Sequence, residues 1–398
     1  MNSKNKTILY AGGFIFPDRN AAAQRVIGVG KALRSLGYEI DFFSVDNASF
    51  FTVATNKLIK LEDGFFYKAK KYPISKQEWI NYLSSIKDIK NFINIERDKR
   101  ISAVIVYNYP AVALYRLIKL CRRLHIPLYA DCTEWYSART GNIFFRIIKF
   151  LDTSIRIRIL HKKVNGVICI SRYLYDYYKK FGMNVLHLPP LVDLKDSKWK
   201  QNVKKSNKIC RFIYAGSPGL EKGINKDRID IVLEAFGRLV EEGFKFELEI
   251  IGLSENDYKK QSDKNSKTLL EISQYVNFKG RLQHKIVLKQ LMQADFMIFL
   301  RDKRRFTLAG FPTKLVEAIS SGTPVITNEN SNITDYIINN KNGLMCDSLD
   351  INDIIDVLKS AIKMPNRKLQ EMSTDCRDSG FFDYKNYIVP IYEFLRGE

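Results

Sequence analysis

Short apolar runs alternate with helical stretches along the chain, and this alternation occurs twice. The runs expected to form strands are residues 7–14, 39–45, 102–109, 127–132, 166–171 and 184–190 in the first half, and 210–217, 246–252, 276–280, 295–301, 324–329 and 343–346 in the second. Short strands separated by helical segments are typical of parallel βαβ units. The pattern therefore predicts two α/β units with mostly parallel sheets.

Apolar residues recur at helical spacing between the predicted strands. Residues 21–36 carry an apolar face, and Gly37 is placed to end that helix. Helices are also expected over residues 227–243, 284–294 and 313–322. The aromatic segment 384–398 is compatible with a helix that is kinked at Pro390, and we expect it to pack against the first unit.

The charged segment 195–208 has few apolar residues and is interpreted as a linker. It separates an N-terminal domain of residues 1–194 from a C-terminal domain of residues 209–375. Residues 376–398 are expected to return to the N-terminal domain. With 398 residues in the chain, each domain is long enough to bury a core of its own.

The chain is strongly basic, with 64 Lys and Arg residues against 43 Asp and Glu residues and a formal net charge of +21. This excess predicts an anionic partner such as a phosphorylated metabolite, an acidic lipid or a nucleic acid. The signatures of RNA-binding modules are missing, which argues against nucleic acid. No apolar run reaches the roughly 18 residues of a membrane span, and the N-terminus lacks a signal-peptide pattern. We expect a cytoplasmic protein whose membrane contact, if any, is peripheral.

Several kinds of site find no support in the sequence. The six cysteines have no metal-ligand spacing, and the four histidines form no zinc or Ser/His/Asp pattern. The chain also lacks a G-x-x-x-x-G-K-[ST] loop and any D-x-D sequence. We therefore expect no cofactor and no metal. Negative charge on a phosphate would have to be met by Lys, Arg and helix dipoles.

The segment AGFPTKLVEAISSGTPVI, residues 309–326, is the strongest candidate for a binding site. Gly310 and Pro312 lead from a strand into a helix, whose free N–H groups and dipole favour a diphosphate. Glu317 follows about one helical turn later, where it can bond hydroxyls of a sugar or ribose. The alternative is a plain helix-to-strand corner with an exposed glutamate.

Two glycine loops follow predicted strands. Gly12 and Gly13 permit close approach of the backbone to a ligand, although a tight turn is the alternative. The segment YAGSPGLEKGINKDR, residues 214–228, places Lys222 and Lys226 beside a small-residue loop that suits a diphosphate. Its alternative is an exposed loop with solvated lysines.

Charged side chains also follow two further strands. Arg301 ends the run 295–301 and would point beyond the carboxyl edge of the sheet, unless it forms a surface salt bridge with Asp302. Asp131 lies at the end of the run 127–132 and Glu134 just beyond it, where carboxylates suit sugar hydroxyls. The alternative there is a buried tryptophan with a helix-capping Asp131.

Residues 142–163, NIFFRIIKFLDTSIRIRILHKK, interleave bulky apolar residues with arginine and lysine. This composition fits a helix that lies on an anionic lipid surface. A core helix with a basic outer face is the alternative.

Together these segments resemble the family 4 retaining glycosyltransferases of the GT-B fold, over nearly the whole chain. Residues 309–326 resemble the family's nucleotide-sugar signature, residues 214–236 its phosphate loop and residues 11–44 its N-terminal glycine loop. Residues 131–137 and 169–182 resemble members that build bacterial surface polysaccharides. The resemblance implies two Rossmann-like domains facing a central cleft, with the acceptor bound by the first domain and the donor by the second.

The resemblance also implies roles for individual residues. Glu317 matches the second glutamate of a Glu-x7-Glu pair that holds the ribose, whereas the first position is Ala309. Lys226 matches the diphosphate lysine, with Lys222 as the competitor. The catalytic set is then Arg301, Lys226 and Glu317, and the donor site comprises Gly12, Gly13, Ser217, Lys222, Gly310, Phe311, Pro312, Thr313, Lys314 and Leu315. Asp131 and Glu134 are placed on the acceptor or sugar side.

The expected reaction is a metal-independent transfer of a sugar from a nucleoside diphosphate donor, UDP-linked, onto a saccharide or lipid-linked saccharide. Retention implies attack on the same face as the leaving group, so no side-chain nucleophile is required. The alternatives are a GT-B UDP-sugar epimerase, a catalytically silent partner that binds sugar nucleotide, and a basic nucleic-acid-binding protein.

Overall fold

The computed structural model describes residues 6–16, 20–46, 59–61, 63–95, 100–135, 143–199, 209–219, 226–260 and 272–397. The chain divides into two compact units. Unit 1 comprises Met1–Asp193 and Asp383–Glu398, and unit 2 comprises Leu194–Phe382. Within the predicted linker, Ser197–Trp199 form a 3-10 turn with Trp199 buried, and residues 200–208 lie outside the described residues.

Unit 1 is built on a parallel sheet. Its described strands are β1 (Lys6–Gly12), β2 (Tyr38–Asp46), β3 (Ile59–Lys60), β4 (Phe66–Lys71), β5 (Arg100–Tyr107), β6 (Leu128–Cys132), β7 (Gly166–Cys169) and β8 (Val185–His187). They lie in the order β3-β4-β2-β1-β5-β6-β7-β8, and only the β3–β4 pair among the described strands is antiparallel. The six strands expected from apolar runs are present. Strand β4 was not expected, because three of the six residues in its sequence FYKAKK are lysines and it forms no apolar run.

The helices of unit 1 cover the faces of this sheet. The described ones are Ala21–Ser35, Lys76–Ser84, Lys87–Ile95, Ala111–Arg123, Ile143–Ile155, Arg172–Lys179 and Ile388–Arg396. The first begins where the Asn20 side chain accepts a hydrogen bond from the Ala23 N–H. It ends before Gly37, whose φ of 84° lies in the left-handed region that favours glycine. The predicted helix over residues 21–36 is thus confirmed.

The C-terminal helix belongs to the core of unit 1. Ile391 and Phe394 are buried there, and the Tyr129 hydroxyl donates to the Leu395 carbonyl at 3.1 Å. The helix runs continuously through Pro390, which lies in its first turn, where a missing N–H interrupts no helical bond. The kink expected at Pro390 is therefore absent from this helix.

The segment that joins unit 1 begins at Asp383, not at residue 376 as expected. Residues 376–382 complete unit 2. The Cys376 thiol donates a hydrogen bond to the Asn342 carbonyl. The centres of the Phe382 and Tyr336 rings lie 4.8 Å apart.

Unit 2 has a second, wholly parallel sheet among its described strands. These are β9 (Cys210–Ala215), β10 (Phe246–Ile251), β11 (Val276–Gly280), β12 (Phe296–Ile298), β13 (Val325–Asn328) and β14 (Gly343–Cys346). The described helices are Ile229–Glu241, Glu255–Lys259, His284–Gln293, Arg305–Ala309, Thr313–Ser320, Ile351–Ile362 and Asn366–Asp378. All six strands expected from the apolar runs are present.

The order of the strands in unit 2 is β11-β10-β9-β12-β13-β14. Strands β9 to β11 extend the sheet in one direction, and strands β12 to β14 extend it in the other. The order therefore reverses between β9 and β12. In open parallel sheets, ligands bind beyond the carboxyl ends of the strands at such a reversal. The loops that leave β9 and β12 are the first place to look for a site.

Candidate functional site

The loop that leaves β9 is shaped by close backbone approach. Gly216 has a φ of 143°, and a Cβ atom at this position would lie only 2.6 Å from the Nζ atom of Lys314. Ser217, which follows, is exposed. Residues 220–225, including the predicted phosphate ligand Lys222, lie outside the described residues. The glycine is thus required at a position that a lysine from another element reaches.

A buried carboxylate, Asp227, joins this loop to two other elements. It accepts hydrogen bonds from the Tyr214 hydroxyl at 2.7 Å, from the Nε of Arg301 at 2.7 Å and from the Nζ of Lys314. Tyr214 lies on β9, Arg301 follows β12, and Lys314 is the second residue of the helix Thr313–Ser320. We call these four residues the Asp227 cluster. It lies at the reversal of the strand order.

The Asp227 cluster contains two cationic side chains and one carboxylate, all nearly inaccessible to solvent: Asp227 is 1% exposed, Arg301 3% and Lys314 8%. Burial alone would raise the pKa of Asp227, but Arg301 and Lys314 outweigh it and hold that pKa below its usual range. Burial lowers the pKa of Lys314 to about 8, although Asp227 opposes the shift. Near neutral pH the cluster therefore carries a surplus positive charge.

Arg301 is held rigidly but leaves one nitrogen unused. Its backbone N–H donates to the Asn328 side-chain oxygen at 2.8 Å, and the Asn328 amide donates back to the Arg301 carbonyl at 2.9 Å. Its Nη1 is buried and has no hydrogen-bond partner within the described part of the chain. The alternative of a surface salt bridge with Asp302 is wrong, because Asp302 pairs with Arg228 and Arg304.

The segment expected to bind the donor presents mainly backbone. Phe311 and Leu315 are buried, and the Phe311 ring packs 5.3 Å from that of Tyr336. Gly310 and Pro312 are also buried, whereas Thr313, the first residue of the helix Thr313–Ser320, is partly accessible. The groups that this helix start could offer to a ligand are N–H groups of its first turn, the Thr313 side chain and the Lys314 side chain.

Glu317 lies further along the same helix and is paired with a histidine. Its Oε1 atom is 3.0 Å from the Nε2 of His284, the first residue of the helix His284–Gln293, and both side chains are partly accessible. Nothing in the local sequence around His284 indicates this pairing. Ala309 is fully buried, so a glutamate substituted there would bury a carboxylate.

Lys226 is the first described residue after residues 220–225 of the loop that leaves β9. Its backbone N–H donates to the Pro218 carbonyl at 2.7 Å, and its side chain is partly exposed. It is near enough to Lys314 to contribute to the lowering of the Lys314 pKa, after the larger effects of burial and Arg301. Asp227 is the next residue. Its local sequence gives no sign of a role in a site, because Arg301 and Lys314 are distant from it along the chain.

In unit 1, Asp131 does not present its carboxylate to a ligand. It is fully buried, and Arg25 donates to both of its oxygens, through Nη2 at 2.7 Å and Nε at 2.9 Å. Tyr10 donates to the same carboxylate, and the Nη1 of Arg25 donates to the Leu188 carbonyl at 2.9 Å. The expected sugar-side role of Asp131 is corrected to a structural one, because its acceptors are already used.

The other candidate residues of unit 1 are Gly12, Gly13 and Glu134. Gly12 is the last residue of β1, and a Cβ there would lie 2.7 Å from that of Tyr107, so the glycine serves strand packing. A Cβ at Gly13 would lie 3.1 Å from the Tyr82 hydroxyl. Glu134 is partly accessible, and Trp135 is buried, as the alternative reading of this segment predicted.

Solved structures with the same architecture identify the fold. Sucrose-phosphate synthase from Thermosynechococcus elongatus aligns with a TM-score of 0.70 at 13% identity, covering 98% of each chain. HepE from Anabaena in complex with UDP aligns with a TM-score of 0.66 at 12% identity, covering 98% of this chain and 100% of its own. A glycosyltransferase from Rickettsia africae aligns with a TM-score of 0.68 at 12% identity, covering 98% of this chain and 99% of its own. At these identities the likeness defines the fold, which is the predicted GT-B fold.

A family model matches the second half of the chain. Residues 196–379 match the family described as Glycosyl transferases group 1. The match spans unit 2 with its Asp227 cluster and the helix that carries Glu317, which is somewhat less than half of the chain. A comparison with curated protein sequences finds no significant match.

The burial of Asp131 leads to a prediction about stability. Asp131→Ala leaves Arg25 buried without its counter-charge, so we expect the free energy of unfolding to fall by about 3–5 kcal/mol. Urea titration measures the change. The control is Glu134→Ala, at a partly accessible position, which should stay within about 0.5 kcal/mol of the wild type. A stable Asp131→Ala protein would contradict the structural role.

Proposed function

We propose that the protein is a glycosyltransferase that moves a sugar from a nucleoside diphosphate donor to a saccharide or a lipid-linked saccharide. One observation carries the proposal. The surplus positive charge of the Asp227 cluster lies at the strand-order reversal of unit 2, within the segment that matches Glycosyl transferases group 1. A buried site with excess positive charge suits the diphosphate of a sugar nucleotide.

The chemistry needs little more than charge stabilisation. As the bond between sugar and diphosphate breaks, positive charge develops on the sugar ring and negative charge on the leaving phosphate. Cationic groups and helix N–H groups that are already in place stabilise the leaving phosphate without reorganisation. Arg301 and the first turn of the helix Thr313–Ser320 are suited to this task. We further propose retention by same-face attack, in which the leaving phosphate helps to deprotonate the acceptor hydroxyl and no side chain acts as nucleophile.

UDP is the proposed nucleotide. The structure of HepE, which has the same fold, contains UDP, and this supports the choice. Glu317 is proposed to bond the ribose hydroxyls, because it lies about one turn beyond the helix start and its side chain is partly accessible. Its pairing with His284 holds the carboxylate in one orientation.

The first prediction of this proposed function is that UDP binds in the absence of a divalent metal. We expect calorimetric titration to give the same UDP affinity with and without EDTA, and weaker binding of GDP and ADP. Loss of binding in EDTA would contradict the metal-independent mechanism, and preference for GDP would contradict the nucleotide. Release of UDP from UDP-sugars only when a saccharide is added would support transfer, whereas a sugar epimer formed without acceptor would identify an epimerase.

The second prediction concerns Glu317. Glu317→Ala leaves ribose hydroxyls without a partner, so UDP binding should weaken by about 1–3 kcal/mol. Binding of 2′-deoxy-UDP or 3′-deoxy-UDP should weaken less, because one of the lost hydrogen bonds is already missing. Glu371→Ala, at an exposed ion pair with Arg367, is the matched control and should not change affinity. An equal loss for UDP and both deoxy analogues would disprove contact with the ribose.

A membrane surface is the proposed location of the acceptor. The helix Ile143–Ile155 and the turns that follow expose an apolar stripe made of Ile143, Ile147, Phe150, Leu151, Ile155 and Ile159, each between 41% and 75% exposed. Arg158, Lys162 and Lys163 are exposed at its end. None of the helices in the described part of the chain is long and apolar enough to cross a membrane. An apolar stripe flanked by basic residues suits binding at the surface of an anionic bilayer.

The third prediction tests this surface. The protein should sediment with acidic vesicles at low salt and be released as ionic strength rises from about 0.1 M to about 0.5 M. Ile147→Glu combined with Phe150→Glu should abolish sedimentation. Val389→Glu, an equal change at a residue exposed elsewhere on unit 1, should have no effect. Equal sedimentation with neutral and acidic vesicles would contradict the electrostatic contribution.

A further inference from the structure

We infer that the diphosphate of the donor is bound by the side chains of Lys314 and Arg301, with Asp227 as the residue that positions both, and not by Lys226 of the glycine loop. This inference rests on the proposed function, since it assigns the anion site of the same reaction. Lys314 is contributed by the helix Thr313–Ser320 and Arg301 by the chain after β12. Both cations are therefore contributed by elements outside the glycine loop, and the Lys314 ammonium lies beside Gly216.

Unit 1 contains a balanced counterpart of the Asp227 cluster. The sequence Tyr-Ala-Gly occurs at the end of the first strand of each unit, at residues 10–12 and 214–216, although Gly216 is already the first residue after β9. In both units the tyrosine hydroxyl donates to a buried aspartate that also binds an arginine: Tyr10, Asp131 and Arg25 in unit 1, and Tyr214, Asp227 and Arg301 in unit 2. The same arrangement thus occurs with and without an additional lysine.

The two groups differ in charge balance and in the use of the arginine nitrogens. Arg25 uses Nε, Nη1 and Nη2, and its single charge is matched by Asp131. In unit 2, one carboxylate faces both Arg301 and Lys314, and the Nη1 of Arg301 has no partner within the described residues. A buried surplus charge with an unused donor is costly unless an anion completes it. A diphosphate supplies both the negative charge and the acceptor oxygens.

The position of Lys314 fits contact with a phosphate at the glycine loop. Its Nζ occupies the space that the Cβ of a larger residue at position 216 would take, beside the backbone that follows β9. Its ammonium also lies 4.1 Å from the centre of the Tyr214 ring. Asp227 is more deeply buried than either cation, and a carboxylate would repel a phosphate. Asp227 therefore orients the two cations and does not touch the ligand.

The charge state of Lys314 gives the site a pH dependence. Asp227 holds the ammonium, while Arg301 and Lys226 oppose its charge and Tyr214 lies beside it as a neutral phenol. Burial lowers the pKa of Lys314 to about 8. Protonated lysine binds a phosphate and neutral lysine does not, so affinity is retained below about pH 8 and falls above it. The fall approaches tenfold per pH unit, one proton being taken up with the ligand.

The experiment measures binding of UDP, uridine and inorganic pyrophosphate to the full chain by calorimetry. Lys314→Met should weaken UDP and pyrophosphate binding about 10- to 100-fold, with uridine unchanged. Lys226→Met should have a smaller effect. Lys359→Met, which removes a lysine paired with Glu242 elsewhere in unit 2, is the matched control and should have none. Unchanged uridine binding also shows that the variant is folded.

The pH profile provides a second test that does not depend on a destabilised variant. Wild-type affinity for UDP should fall between about pH 8 and pH 9.5, and Lys314→Arg, which stays charged, should remove this fall. A flat wild-type profile, or a loss of UDP binding in Lys226→Met but not in Lys314→Met, overturns the inference. Pyrophosphate binding that depends on Lys314, without tighter binding of UDP, would support the anion site while contradicting the proposed donor.

Discussion

The buried carboxylate of Asp227 is the interaction on which the candidate site depends. It ties together strand β9 through Tyr214, the exit of β12 through Arg301 and the start of a helix through Lys314. Without it, two cationic side chains would face each other in a medium of low dielectric, where their repulsion is strong. The geometry of the glycine loop follows from the same contact, because Gly216 leaves the space that the Lys314 ammonium occupies.

The two units contain one arrangement of residues with two different charge balances. In unit 1 a tyrosine, an aspartate and an arginine form a neutral, fully hydrogen-bonded group that joins β1 to β6 and the first helix. In unit 2 the addition of one lysine turns the equivalent group into a site with a charge to be satisfied. Charge balance, more than the kind of residue, distinguishes the core ion pair of unit 1 from the anion site that we propose in unit 2.

Much of the fold could be predicted because buried parallel strands are continuously apolar and stand out from the helices between them. Strand β4 was missed because its lysines give it no such run. The kink expected at Pro390 did not arise, because the helix start lies just before it. For the site, the segment 309–326 and the loop after β9 were found from their glycines and helix start, whereas His284 carried no local signal that set it apart.

By itself, the sequence determined the alternation of strands and helices, the two-unit α/β architecture, the positive charge and the loops at which a ligand can approach the backbone. These properties depend on neighbouring residues and on composition. The tertiary structure alone decided which charges meet. Asp227 and Lys314 are 87 positions apart, and Arg25 and Asp131 are 106 apart. The sequence suggested a sugar-binding role for Asp131 and none for Asp227, because burial and pairing arise only when distant segments pack together.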